Sequence, residues 1–386
     1  MKKMPVALRI FPAALLCSVL LLRCQKEEPA AVIFLPTDKT MPSLPATPFH
    51  YANPGLPAYL TTPMINGQNT TPVNNPVTDH GATLGRVLFY DVNLSANNTK
   101  ACASCHQQAF AFSDPDQFSL GFDGERTTRN SMSLINAAYY PNGRYFWDER
   151  AASAEAQASR PIVNPVEMGL TMPKLVAKLQ TVGYYPQLFK NAFGTTIIDS
   201  AGIVRALAQF VRSTVSYRTK YDDGRAAFPP NQNPGMVGFA NYTAGENLGR
   251  QLFFGRGNCA QCHGTETFTS PGARNNGLDL VYADNGVGTV TGNPGQNGQY
   301  KSPSLRGIAQ SAPYMHDGRF TTLEQVVEHY NSQVKAHPNL SPQLRGPNGM
   351  PRVLNLNAAE KAALVAFLKT LTDTGIATDE KFANPF

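Results

Sequence analysis

Cys102-Ala103-Ser104-Cys105-His106 and Cys259-Ala260-Gln261-Cys262-His263 are the two stretches on which the fold of this chain turns. Both spell C-x-x-C-H. Two thiols at this spacing can add to the two vinyl groups of one haem, and the histidine that follows then lies under the iron as its axial ligand. Paired cysteines also serve four-sulfur zinc sites and disulfide frameworks. Neither needs a histidine directly after each second cysteine, and neither needs two identical pentads. The motifs therefore predict two covalently attached haem c groups. Cys102, Cys105 and His106 would hold one, and Cys259, Cys262 and His263 the other.

The flanks of the motifs repeat as well. Leu84-Gly85-Arg86-Val87-Leu88-Phe89 precedes the first and Leu248-Gly249-Arg250-Gln251-Leu252-Phe253 the second. Thr243 and Glu246 have the spacing of a capping box, with Leu248, Leu252 and Phe253 on one helical stripe behind them. Residues 202–217 place Ile203, Leu207, Phe210 and Val211 at helical spacing. Near the far end, Asn357 and Glu360 cap a helix whose stripe is Ala363, Leu364, Phe367, Leu368 and Leu371. The Pro/Asn run 229–234 is a linker by composition, and the Gly/Asn-rich run 271–299 a long surface loop. The expected fold is mostly α: two cytochrome-c-like haem domains with long loops, an N-terminal one over 76–228 and a C-terminal one over 229–386.

Composition agrees with this layout. In 386 residues, 42% are hydrophobic, which excludes disorder along the whole length, and only 16% are charged, which excludes a coiled coil or a nucleic-acid shell. With 31 glycines and 30 prolines the chain has the makings of long loops. The net charge is +6, but four basic residues and no acid fall within residues 1–23, so little remains to attract a polyanion, and no nucleic-acid partner is expected. Lys2 and Lys3 followed by the apolar run from Ile10 to Leu22 have the form of a secretory signal peptide, too short to span a bilayer comfortably. Cys24 closes that run as in a bacterial lipoprotein signal, although Arg23 replaces the small residue that signal prefers. The expected location is the periplasm, with Cys24 as a lipid anchor to the membrane. Residues 24–75 form a Pro/Thr-rich tether or arm. Cys17 lies in the leader, so no cysteine is left for a disulfide.

Beyond the haem motifs, Ser119-Leu120-Gly121, Arg129-Asn130, Phe146-Trp147-Asp148, Gln157…Pro161…Glu167-Met168-Gly169, Ser302-Pro303-Ser304-Leu305-Arg306 and Ala312-Pro313-Tyr314-Met315-His316-Asp317-Gly318 complete a pattern. The chain resembles the bacterial dihaem cytochrome c peroxidase family, including the MauG-like branch that matures a tryptophan-derived quinone cofactor. The resemblance implies that peroxide reacts at the N-terminal haem and that the C-terminal haem receives electrons from a small donor protein. By position, Gln157 and Glu167 would line the open face of the first haem. Heterolytic O–O cleavage needs a group that carries a proton from the inner to the outer oxygen, and a carboxylate whose pKa is raised by burial can do so. Trp147, the single tryptophan, falls where the family places an indole relay between the haems. Asn130, Ser311 and Pro313 match a calcium site built from a side-chain oxygen and two carbonyls. The family also implies homodimers.

Two positions decide between branches. Where the well-studied peroxidases carry a distal histidine this chain has Phe122, which has no lone pair, so the first haem is expected to be open even when oxidised. At the second haem the family position for the sixth ligand is Tyr330. Leu323, Val326, Val327 and Tyr330 share one helical face, with His329 off it. Met315, Met350 and His329 remain alternatives. A methionine would raise the potential and an anionic tyrosine would lower it. His316 reads as a turn residue near the domain interface, and neither it nor His337 as a ligand. The leading function is an exported dihaem c-type peroxidase that reduces hydrogen peroxide to water with electrons from a small periplasmic cytochrome c or copper protein. A MauG-like dihaem oxidase of a protein side chain is the second reading, and a plain dihaem electron carrier the third.

Overall fold

The structure, a computed structural model, describes Met1 and residues 41–386. The rest of the leader, Cys17, Cys24 and the arm up to residue 40 lie outside the described residues. From residue 41 onward the chain belongs to one compact unit.

The segment 41–75 packs as a covering arm. Tyr59 donates its hydroxyl to Asp222 Oδ1 at 2.5 Å and Tyr217 donates to the Pro54 carbonyl at 2.6 Å. Thr62 caps the short α1 (Pro63–Asn66). Helix α2 (Asp79–Tyr90) follows, and after the first haem motif come α3 (Ala154–Val163), α4 (Met172–Gln180), α5 (Tyr185–Phe193), α6 (Ser200–Ser213) and α7 (Lys220–Arg225). The second half contains α8 (Ala244–Phe254), α9 (Ala260–His263), α10 (Val287–Thr291), α11 (Leu323–Glu328), α12 (Ala358–Lys369) and α13 (Thr374–Thr378). Among the described residues there is no sheet, only isolated bridges, and no helix is long and apolar enough to cross a membrane.

Each half is built on one close helix crossing, α2 over α6 and α8 over α12, and the repeated Leu-Gly-Arg triplet explains both. A Cβ on Gly85 would lie 2.1 Å from the Ala206 carbonyl oxygen, and one on Gly249 would lie 1.9 Å from that of Ala363. Only glycine lets the backbones approach so near. The arginine that follows is buried in both copies: Arg86 donates to the Glu380 carbonyl at 2.8 Å, and the Arg250 guanidinium lies 4.2 Å over the Phe239 ring. Around the crossings pack Phe89, Phe112 and Phe210 in one half and Phe253, Phe268 and Phe367 in the other.

The capping boxes at Thr243/Glu246 and Asn357/Glu360 are present. Three expectations need correction. The helix expected over 202–217 stops at Ser213, where the Thr214 hydroxyl turns back onto the Val211 carbonyl at 2.6 Å. Helix α12 ends at Lys369, and Leu371 reaches the core from the turn beyond it. The run 271–299 is a surface loop only in part: Leu280, Val281 and residues 289–295 are exposed, while other stretches fold inward. Its polar residues bind its own backbone (Asn275 Oδ1 accepts from the Gly277 N–H at 2.9 Å and from the Tyr282 hydroxyl at 3.3 Å), so Leu278, Tyr282 and Val287 are buried. Composition alone cannot distinguish polar residues that face water from polar residues spent on folding a loop inward.

Candidate haem sites

Each C-x-x-C-H motif forms a tight turn after its long helix, a single 3-10 turn at Cys102–Ser104 and α9 at the second. All four thiols are unpaired. Burial pushes Cys102 up to about 12 and Cys105 up to about 11, with the neighbouring thiol adding at Cys102, so neither is an anion at neutral pH. In both halves the histidine Nδ1 faces a carbonyl, His106 that of Phe112 at 2.9 Å and His263 that of Phe268 at 3.1 Å. A carbonyl only accepts, so Nδ1 carries the proton and Nε2 keeps its lone pair for a metal. Burial lowers both imidazoles, His263 to about 4, and holds them neutral. The carbonyls are aimed by phenylalanines in the left-handed region, Phe112 at φ 56° and Phe268 at φ 53°, both fully buried. Such strained backbone persists only where packing over-determines it. The sequence reading missed both residues, although the matching Phe112-Ser113 and Phe268-Thr269 pairs after the motifs were a signal.

The corresponding turns continue beyond the motifs. Tyr145 and Tyr314 each open a turn closed by an isolated bridge, to Ala151 and to Phe320, and the next residue is left-handed in both, Phe146 at φ 67° and Met315 at φ 76°. Each turn leads at equal spacing to a capped helix, α3 from Ser153 and α11 from Thr322. Counted from those caps, Gln157 corresponds to Val326 and Pro161 to Tyr330. Proline has no donor atom in its side chain to offer a metal.

On the first side, Gln157 is half-buried on α3. Glu167 follows in a loop where Asn164 donates its amide to Oε1 at 2.7 Å. Burial raises the Glu167 pKa, against smaller opposing pulls from Arg150 and Asn164. Its charge is among the smaller influences that raise Cys102 and Cys105, so it lies within electrostatic range of the first motif. The Phe122 N–H donates to the Glu167 carbonyl at 3.1 Å, and the Phe122 ring lies so close to Gly169 that a Cβ there would come within 2.4 Å. Phe122 thus packs on the backbone of the 167–169 segment. Arg150, which the sequence reading did not single out, lies 3.6 Å over the Phe146 ring and salt-bridges Asp148 at 2.9 Å.

The second motif faces a cavity of about 240 Å³. Cys259, Cys262 and His263 line it, as do Leu323, Val326, Val327 and Tyr330, all four members of the expected face. His329 turns away and donates Nε2–H to the Asn276 carbonyl at 3.1 Å. The helix changes there to a π turn over His329–Gln333, a feature frequent at functional sites. Met315 lines the cavity, whereas Met350 is 53% exposed and does not. Trp147 lines it too: its indole N–H donates to the Asn130 carbonyl at 2.9 Å, and its own carbonyl accepts from the Lys301 N–H at 2.8 Å, tying it to both halves. Asn130, Ser311 and Pro313 share this wall, with Asn130 Nδ2 donated to the Asp116 and Gln117 carbonyls at 3.2 Å each. Among the described residues no three His, Cys, Asp or Glu side chains converge as a metal site. Arg129 clamps the halves together, reaching Asp284 at 2.6 and 2.8 Å and Asp148 at 2.6 Å.

His316 is more than a turn residue. It is buried, stacked 3.7 Å on the Tyr300 ring, and its Nδ1 has no partner. Arg274 Nε, Asn276 Oδ1 and Gln343 Oε1 are also buried without partners, and all four residues line the cavity. An unpartnered polar atom inside a protein is costly. A haem brings an apolar disc for Leu323, Val326 and Val327 and two carboxylates for donors such as Arg274 and His316, so these residues fit it.

Two histidine–dicysteine turns of one design in a mostly helical body define the class of dihaem c-type cytochromes. Residues 79–226 match the di-haem cytochrome c peroxidase family, and residues 247–372 match the cytochrome c family. The chain is 34% identical to the methylamine utilization protein MauG of Methylorubrum extorquens, over 78% of this chain and 80% of that protein. It is 31% identical to the cytochrome c551 peroxidase of Nitrosomonas europaea, over 75% and 79%. Among solved structures, a MauG-like protein associated with microbial copper homeostasis superposes with a TM-score of 0.75 at 31% identity, covering 86% of this chain and 99% of that one. The chain belongs to the dihaem cytochrome c peroxidase family, whose members include both peroxidases and MauG. It is an oxidoreductase of that type with two c-type haems.

Proposed function

We propose that the chain is an exported peroxidase that reduces hydrogen peroxide to two waters at its first haem, consuming two electrons and two protons. The electrons enter at the second haem from a small periplasmic cytochrome c or copper protein. The carrying observation is Glu167, a carboxyl raised by burial and held by Asn164, on a segment whose backbone bonds to that of Phe122, a residue that cannot bind iron. Pro161, where the other half has Tyr330, supports the same open face. When bound, the first haem supplies the iron that takes up peroxide and the electrons that reduce it. Glu167 receives the proton of the inner oxygen and returns it to the outer one, with Gln157 beside it to orient the peroxide. In this reading 76–228 is the peroxidatic domain and 229–386 the electron-transfer domain.

His106 and His263 serve as proximal ligands and Trp147 as the relay between the haems. Tyr330 is the sixth ligand of the second haem, with Met315 the alternative that shares its cavity. Calcium binds the Asn130 side chain and the Ser311 and Pro313 carbonyls. The leader directs the chain to the periplasm, Cys24 anchors it to lipid, and the mature protein is a homodimer. The test is steady-state peroxide turnover with reduced cytochrome c, preceded by addition of peroxide to the fully ferric protein. A ferric protein whose spectrum ignores peroxide would overturn the reading and leave the electron carrier.

The second reading, a MauG-like oxidase of a protein side chain, is favoured by Tyr330 on the cavity wall together with Phe122. It predicts that peroxide changes both haem spectra while reduced cytochrome sustains no turnover.

A further inference from the structure

Asn276 lies in the Gly/Asn-rich run, far in sequence from everything it touches. Its Nδ2 donates to the Met315 sulfur at 3.4 Å, and its carbonyl accepts from His329, the residue before Tyr330. Its Oδ1 is buried without a partner, and Met315, Tyr330 and Asn276 all line the cavity beside His263. The backbone around it is fixed: Asn275 Oδ1 accepts from the Gly277 N–H at 2.9 Å, and the Gly277 carbonyl accepts from the Lys335 N–H at 2.8 Å, beyond the π turn. One fixed amide therefore holds Met315 in the cavity that Tyr330 also lines, and both side chains carry a lone pair suited to iron.

We propose that Asn276 is the positioning residue that selects the sixth ligand of the second haem, holding the Met315 sulfur on its amide and, through its carbonyl on His329, pinning the turn that presents Tyr330. A thioether engaged by an N–H has less lone pair to give to iron. The His329 contact adds the backbone half of the device: the residue whose amide holds Met315 pins, with its carbonyl, the turn that carries Tyr330. An anionic oxygen ligand favours ferric over ferrous iron, so Asn276 keeps the potential of the second haem low.

The inference rests on Tyr330 being the ligand, and the experiment separates the two. The full-length haem-loaded protein is prepared as Asn276→Leu, Tyr330→Phe and Asn276→Leu/Met315→Leu. Each is measured by ferric electron paramagnetic resonance, near-infrared absorption and redox titration. Asn276→Leu is expected to lose the tyrosinate low-spin signal, gain the near-infrared band of methionine-ligated ferric haem and shift the second potential upward, and the double variant to lose that band. A structural role alone would alter stability and leave ligand and potential unchanged. If Asn276→Leu does not take up haem, Asn276→Asp, of the same shape without N–H donors, replaces it. Wild-type signal and potential in the Asn276 variant, with the signal abolished in Tyr330→Phe, would overturn the inference. A signal that survives Tyr330→Phe would overturn the ligand reading beneath it.

Discussion

Replacing Gly249 by alanine adds one methyl group at the α8–α12 crossing. Its carbon would stand 1.9 Å from the Ala363 carbonyl oxygen and 2.9 Å from the Phe367 Cβ. Real Cβ contacts almost never fall below 3.0 Å, so the helices must part by about 1 Å. The obstructing atoms are helix backbone and a Cβ, neither of which can rotate away. Alanine gains about 1 kcal/mol over glycine inside a helix, while overpacking a dense core costs about 1–3 kcal/mol, and a backbone clash belongs at or beyond the upper end. The net expectation is a loss of about 2 kcal/mol. Phe253 from α8 and Leu364 and Leu368 from α12 line the second haem cavity, so the displacement should also perturb the second haem's spectrum and not the first. Gly245 supplies the control: it is exposed in the first turn of the same helix, and a methyl group there would have Thr243 Oγ1 as its nearest neighbour, at 4.0 Å. Gly245→Ala should stabilise by a few tenths to about 1 kcal/mol. The assay is urea denaturation of both haem-loaded variants, with the haem spectra recorded in the native state. A Gly249→Ala protein as stable as Gly245→Ala, with an unchanged second haem, would refute the close-crossing account of the Leu-Gly-Arg repeat.

Glu167→Gln should slow the reaction with peroxide by about 10²–10⁴-fold at unchanged haem content, measured by stopped flow. Because burial raises the Glu167 pKa, its proton-accepting form grows as pH rises through a value above the ordinary ~4.3, and that acid limb should vanish in the glutamine variant. Phe122→His places a lone pair at the position where the family's peroxidases carry a distal histidine. It should convert the first haem to low-spin in the ferric spectrum and delay its reaction with peroxide until reduction. Glu155 is held by Arg212 at 2.6 and 2.8 Å and by Asn75 at 2.7 Å. Burial opposes ionisation, but these hydrogen bonds outweigh it and bring the carboxyl down to about 2. A depressed folded pKa means stability present above the unfolded value of ~4.3 and lost as pH falls from there toward 2. After discounting for its partial exposure, this amounts to about 1–2 kcal/mol. Glu155→Gln should therefore be less stable than wild type at pH 7 in urea melts, with the gap closing toward pH 2–3.

The resemblance and the two haem motifs were legible in the sequence because covalent attachment is local chemistry: C-x-x-C-H needs a spacing and no distant partner. Capping boxes at Thr243 and Asn357 and the face shared by Leu323, Val326, Val327 and Tyr330 were legible for the same reason, since a helix period is set by its own backbone. The repeat of Leu-Gly-Arg was visible, but its cause, a helix crossing with no room for a Cβ, was not. Neither were the left-handed phenylalanines, which carry no residue-type signature, nor the inward fold of parts of 271–299, whose Gly/Asn composition suggests water.

What the sequence by itself determined is the class: two haem-binding turns, each behind a helix. What only the tertiary structure decided is which side chains meet around them. Asn276 lies 39 residues from Met315 and 53 from His329, and the two halves join through Arg129 and Asp284, 155 residues apart. Such contacts follow from how helices cross and where loops are buried, and that depends on packing across the whole chain rather than on any one stretch of it.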